Sequence, residues 1–138
     1  MSASLLTVKD AAAALRSGAV TSVELTQTTI DRAEQLDKEL GAYIVRFDDQ
    51  ALVTAADADA KFAAGIDNGP LQGIPYGAKD LLAVKGQPTE WGSRAFAGQK
   101  VDEDAFVLKK LDAAGGTGIA KVAMGSVTAG VSCRTEGA

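Results

Sequence analysis

Lys79 is the residue whose type and surroundings could do chemistry. It lies in "GIPYGAKDLLAVKGQPTEWGS", residues 73 to 93, a run otherwise apolar and punctuated by Gly and Pro. A lysine flanked by Tyr76, Ala78, Leu81 and Leu82 asks for a reason, because lysines are kept solvated or paired. Strand alternation would set Pro75, Gly77, Lys79 and Leu81 on one side, where small neighbours leave room for another group to approach. Burial would disfavour the ammonium and lower its pKa, the route by which a lysine becomes a general base near neutrality. The chain holds no histidine, which excludes a Ser-His-Asp triad, a Cys-His pair and a histidine metal site within it. Proton transfer near neutral pH is left to a carboxylate, Tyr, Cys133 or a perturbed lysine, and a serine hydroxyl is the natural nucleophile for a lysine base. On the residues alone two readings stand side by side: Lys79 as a base, or as a strand lysine paired with Asp80 or another acid.

Other stretches carry less. "AAGGTGIAK", residues 113 to 121, has the glycines of a phosphate loop, but neither the dinucleotide fingerprint nor a Gly-Lys-Ser/Thr ending, so it reads as a strand-entry turn. Asp48-Asp49 and Asp102-Asp104 sit beside expected helix starts, where carboxylates suit the helix dipole, and no third cluster accompanies them to make a metal site.

The elements that must position Lys79 are punctuated clearly. Thr7 with Asp10 caps a helix that stops at Gly18; Thr21-Ser22-Val23-Glu24 is a capping box. The second helix carries Val23, Leu25, Ile30, Ala33, Leu36 and Leu40 at helical spacing as far as Gly41. "AYIVRF", residues 42 to 47, reads as a strand, and residues 48 to 64 as a third helix ending at Gly65. The spacing predicts a strand over 73–82, a turn-rich excursion over 84–92, a fourth helix over 104–114 with Leu108 and Leu111 inward, and a strand in "GIAKVAM". Helices alternating with short apolar strands make an α/β layer arrangement.

The bulk composition sets limits. The chain has 138 residues, 46% of them hydrophobic and 23% charged, with net charge −4, which is globular and the size of one domain. That acidic balance offers no basic stripe for nucleic acid or for an anionic membrane surface. Cys133 is the single cysteine, so no intrachain disulfide forms, as suits a reducing cytoplasm. "MSASLLTVKDAAAAL" lacks the pattern of an export signal, and no window reaches membrane-spanning length.

"GPLQGIPYGAKDLLAVKGQPTEWGS" resembles the segment around the catalytic lysine of the amidase signature family, a Pro-Leu-x-Gly-Ile-Pro-x-x-x-Lys-Asp run followed by Val-Lys-Gly and Thr-x-x-Gly-Ser/Ala. The likeness runs upstream through "ELGAYIVRFDDQALVTAADADAKFAAG" and downstream through "DEDAFVLKKLDAAGG" and "IAKVAMGS", over about residues 5 to 130. The family's pattern differs at Gly116, Thr117 and Gly118, where apolar strand residues are usual, and a strand there is expected to be weakened. The resemblance implies an α/β fold, the N-terminal part of the amidase-signature mixed sheet flanked by helices and incomplete. Residues 1–138 would then be the N-terminal portion of a single amidase-like domain, with the C-terminal part and its serine loop absent.

The resemblance also implies a Ser-Ser-Lys mechanism for carboxamide hydrolysis. Lys79 would be the base, acting through a serine held in a cis peptide on the nucleophilic serine; backbone N–H groups would stabilise the oxyanion, with no metal or organic cofactor. Ser93, Ser126 and Ser132 follow Lys79, none of them in a Gly-Gly-Ser-Ser-Gly context, so the chain alone is expected to be inactive, and an uncovered sheet to make it aggregation-prone. The expected partner is a small carboxamide substrate, with no nucleic acid bound directly and no membrane, in the cytoplasm; a homo-oligomer and companion subunits both stay open. Two alternatives accompany this reading: the A subunit of a glutamyl-tRNA amidotransferase, and a non-catalytic, truncated amidase-like binding or structural module.

Overall fold

The computed structural model describes residues 6–123. Their order is α1 (Val8–Ser17), α2 (Ser22–Leu40), β1 (Tyr43–Arg46), α3 (Asp48–Ala63), β2 (Pro75–Lys79), α4 (Phe106–Ala113) and β3 (Thr117–Val122), with a short 3-10 turn at Arg94–Phe96. The sheet runs β1-β3-β2, with β3 central, antiparallel to β1 and parallel to β2. The mixed α/β architecture is the expected one.

The helix ends follow their cap residues. The Thr7 hydroxyl accepts from the Asp10 N–H at 3.1 Å, and Gly18 closes α1 at φ 71°. Thr21 and Glu24 form the reciprocal box at the start of α2, and Gly41 closes it at φ 55°. Two orphan donors of α2 go instead to a neighbour: the Ser22 and Val23 N–H groups donate to Asp59 of α3 at 2.6 and 3.0 Å. This carboxylate locks α3 against the positive end of α2.

Of the α2 residues expected inside, Leu25, Ile30 and Ala33 are buried, whereas Leu36 and Leu40 are exposed. The far half of α2 runs past the elements that cover its near half. One apolar cluster joins Ala11, Leu15, Leu25 and Ile74, so it ties α1 and α2 to the chain entering β2. A second joins Ala51 of α3 to Ile119 and Ala120 of β3, with Tyr43 packed against it.

Three expectations needed adjustment. β2 is shorter than 73–82, because Gly73 takes φ 73° before it and a turn begins at Asp80 after it. α4 begins at Phe106 and not at Asp104, whose carboxylate accepts the Lys85 N–H at 2.7 Å. With the Ala105 N–H donating to Ala83 O at 2.9 Å, this closes the base of the excursion between β2 and α4. Leu108 is buried as expected, and Leu111 only half-buried. Finally, the Gly-rich entry to β3 does not spoil the strand: Thr117 is buried and β3 holds the middle of the sheet. "AAGGTG" is the strand-entry turn, in which Gly115 stands at φ 85° with a would-be Cβ only 2.7 Å from Gln72 Cα.

Candidate active site

Residues 77 to 80 alternate exposed, buried, exposed, buried, so Gly77 and Lys79 share the open side and Ala78 and Asp80 point inward. This is the alternation expected of the strand, with one difference. Lys79 is exposed, not buried, and no acid among the described residues pairs with it. Asp80 is fully buried and is committed elsewhere.

Its partner is Lys121 on β3, also 0% exposed. Lys121 Nζ lies 2.8 Å from Asp80 Oδ1 and donates at 2.8 Å to both the Pro88 carbonyl and the Thr89 hydroxyl. Three contacts use the three donors of an ammonium. Asp80 Oδ1 has no aligned hydrogen bond besides this ion pair, while Oδ2 accepts the Glu90 N–H at 3.2 Å. Asp80 also donates its own N–H to Val122 O at 2.9 Å, which continues the β2–β3 pairing one step past the strand. The acid that sequence reasoning offered to Lys79 is therefore neutralised by a second lysine. Sequence reasoning did not single out Lys121; its signal was a lone cation in the apolar "GIAKVAM" run, the same signal that drew attention to Lys79.

The excursion above this pair is well ordered by local contacts. The Thr89 N–H donates to Gln99 O and the Gln99 amide returns to Thr89 O, at 2.8 and 2.9 Å, beside a bridge between Pro88 and Lys100. The Glu90 carboxylate accepts the Gly98 N–H at 2.6 Å. Trp91 sits at φ 52°, an uncommon conformation for a bulky residue, and packs edge-on against Phe96 with ring centroids 4.8 Å apart. Ser93 serves the 3-10 turn, its hydroxyl accepting from the Ala95 N–H. Ser126, Ser132 and Cys133 lie outside the described residues.

A separate cleft of about 320 Å³ opens between α3, α4 and the sheet, with Tyr76, Ala78, Gly118 and Ala120 on its floor. Lys79 does not line it. Burial and a 2.7 Å hydrogen bond to Asp112 push the Tyr76 phenol well above its usual range, so it stays a donor there. Among the described residues, no group of three or more His, Cys, Asp or Glu is placed to hold a metal ion, and no helix is long and apolar enough to cross a membrane.

The sequence profile described as Amidase matches residues 24–138. The A subunit of the glutamyl-tRNA(Gln) amidotransferase of Renibacterium salmoninarum is 43% identical over 122 residues, covering 85% of this chain and 24% of that protein. The corresponding subunit from Chloroflexus aurantiacus is 39% identical over 128 residues, covering 89% and 26%. Among solved structures, the peptide amidase of Stenotrophomonas maltophilia matches with a TM-score of 0.81 at 32% identity, over 89% of this chain and 26% of that one. A fatty acid amide hydrolase shares the fold at a TM-score of 0.83 and 22% identity, over 88% and 22%. The chain thus spans about a quarter of the length of these relatives. Together with the exposed Lys79 at the end of β2, the profile's reach across residues 24–138 establishes that the chain belongs to the amidase family.

Proposed function

We propose that this chain is the lysine-bearing N-terminal portion of an amidase that hydrolyses carboxamide C–N bonds by a Ser-Ser-Lys mechanism, with Lys79 as the base. One observation carries the reading: among the described residues Lys79 has no acid partner on the open side of β2, while the acid beside it is taken up by Lys121. In this reaction the Lys79 amine accepts, through a bridging serine, the proton of a nucleophilic serine as that oxygen attacks the amide carbon. The proton returns to the leaving nitrogen as the C–N bond breaks, and water then releases the acid from the acyl-serine. Ser93, Ser126 and Ser132 stand in no Gly-Gly-Ser-Ser-Gly context, so in this reading both serines come from sequence beyond these 138 residues, and the chain alone is expected to turn over no amide.

The test uses ammonia release from simple amides and glutamine. The chain is assayed alone and fused to the remaining three quarters of the Stenotrophomonas peptide amidase, with folding checked by circular dichroism and gel filtration. The expected result is no turnover alone, turnover in the fusion, and a loss of roughly 10²–10⁴-fold in the Lys79→Ala fusion. A folded fusion that keeps its rate without Lys79 overturns the reading.

A second reading is favoured by the relatives at 35 to 43% identity, which are amidotransferase A subunits. In it the chain belongs to a glutamine-dependent enzyme with companion subunits. Turnover of glutamine that depends on such subunits supports it, and turnover of simple amides without them opposes it.

A further inference from the structure

The ammonium of Lys121 reaches three places at once: the end of the strand that bears Lys79, and two successive residues of the excursion above it. A buried charge pair is a poor source of stability, since apolar residues of similar volume often do as well. Its geometry here does something that an apolar pair would not. Asp80 Oδ1 meets Lys121, Asp80 Oδ2 receives the Glu90 N–H, and Lys121 holds Pro88 O and Thr89 Oγ1, so polar contacts attach residues 88–90 to the ends of β2 and β3.

The next residue is Trp91, held at a positive φ. Such a conformation persists only where its surroundings over-determine it, and on its N-terminal side these attachments act together with the Thr89–Gln99 bonds and the Pro88–Lys100 bridge. On the other side Trp91 packs edge-on against Phe96, and the Glu90–Gly98 contact spans the two sides.

We propose that Lys121 is a positioning residue: paired with Asp80, it clamps the 88–91 segment to the end of β2 and so fixes the strand end from which the Lys79 amine is presented. The inference rests on the reading of Lys79 as the base. It adds a role for a residue that never touches the substrate, and it assigns the two lysines different work. Lys121 is held by one ion pair and two hydrogen bonds inside the protein, whereas Lys79 has no such partner among the described residues.

Trp91 is the only tryptophan, so its fluorescence reports this segment directly. The variant is Asp80→Leu with Lys121→Met, which removes both charges and leaves no orphaned ion to unfold the chain; Thr89→Val, a change of one hydroxyl, serves as a milder second probe. In the 138-residue chain, the double variant should show an acrylamide quenching constant raised towards that of free tryptophan amide and a red-shifted emission, at unchanged far-ultraviolet circular dichroism. Thr89→Val should move in the same direction by less. Lys79→Ala should leave both signals where they were. In the amidase fusion, the double variant should lower kcat with little change in KM, the signature of a misplaced base rather than a lost binding contact. Unchanged Trp91 quenching in both variants overturns the clamp, as does a fusion whose kcat is unaffected. Failure of the Lys79 reading looks different: the Lys79→Ala fusion keeps its rate, while the quenching change in the double variant still occurs.

Discussion

The two ends of β2 are held by different chemistry. At its N-terminal end Ile74 enters an apolar cluster with Leu15 and Leu25, and Gly73 approaches α2 so closely that the Ser22 hydroxyl donates to its carbonyl at 2.8 Å. The neighbouring carboxylate, Asp59, spends itself on two N–H groups of α2. Everything there is neutral or helix-capped, and redundant contacts share the task. At the C-terminal end the central side-chain tie is a buried ion pair, beside the Asp80 N–H bond to Val122 O, and the adjoining lysine is left open. The difference separates a part of the strand built to be fixed from a part built to present a side chain. Rigidity below Lys79 and openness around it are complementary requirements for a group that must meet another at hydrogen-bond distance.

The comparison can be broken most readily at the ion pair. Lys121→Met alone strands the Asp80 carboxylate in the interior and should cost about 3–5 kcal/mol, read as a lower urea midpoint or as loss of a cooperative transition. A variant that unfolds at the wild-type urea concentration would show that the C-terminal end is not held as described. At the other end, Gly73→Ala places a Cβ 2.9 Å from Ser22 Oγ at a backbone φ of 73°, and should cost about 1–3 kcal/mol by the same measurement. Thr21→Ala removes the cap of α2 and should cost about 1 kcal/mol. Lys79→Ala should shift stability by no more than about 0.5 kcal/mol, because the side chain is exposed and unpaired. Its effect belongs to turnover. A large loss of stability in that variant would mean that the open side is structural after all.

A pH titration sharpens the same contrast by the smallest effect. Hydrogen bonds from the Thr21 N–H and then from its hydroxyl hold the Glu24 carboxyl below the usual range. A depressed folded-state pKa contributes stability above the unfolded value, and this is lost as pH falls through the folded one. Below about pH 4.3 the unfolding midpoint should therefore fall less steeply in Glu24→Gln than in the parent. A parallel pair of curves would place the acid sensitivity elsewhere, with the Arg16–Asp67 pair the next candidate.

Much of this was legible along the chain because its signals are local. Thr7, Gly18, Thr21, Glu24 and Gly41 act on backbone groups within a few residues of themselves, so a reader of the sequence sees both partners at once. The strand around Lys79 and the alternation at 77–80 were legible for the same reason. What was hidden is long-range. Asp80 stands beside Lys79 in the chain, and proximity suggested that pair, whereas adjacent strand residues face opposite ways and its real partner is Lys121. Likewise Asp104 looked like a helix-start carboxylate, and the Lys85 N–H claims it across the base of the excursion. The glycines of the β3 entry looked like a weakness in a strand; their need becomes visible only when Gln72 packs against Gly115.

The strand order β1-β3-β2 also sets a schedule for the chain's assembly. The two outer strands are synthesised before the central one, and Arg46 pairs with Ala120 only after the whole excursion and α4 have been made. Closing so long a loop carries an entropic cost that no contact offsets until β3 arrives, which favours slow folding of the sheet. Until then α1 and α2, with their own caps, and α3, held to α2 through Asp59, are the parts able to form on the nascent chain. Lys121, in the final strand of the described residues, is thus the last latch to engage, and the segment around Lys79 takes its final form only when it does.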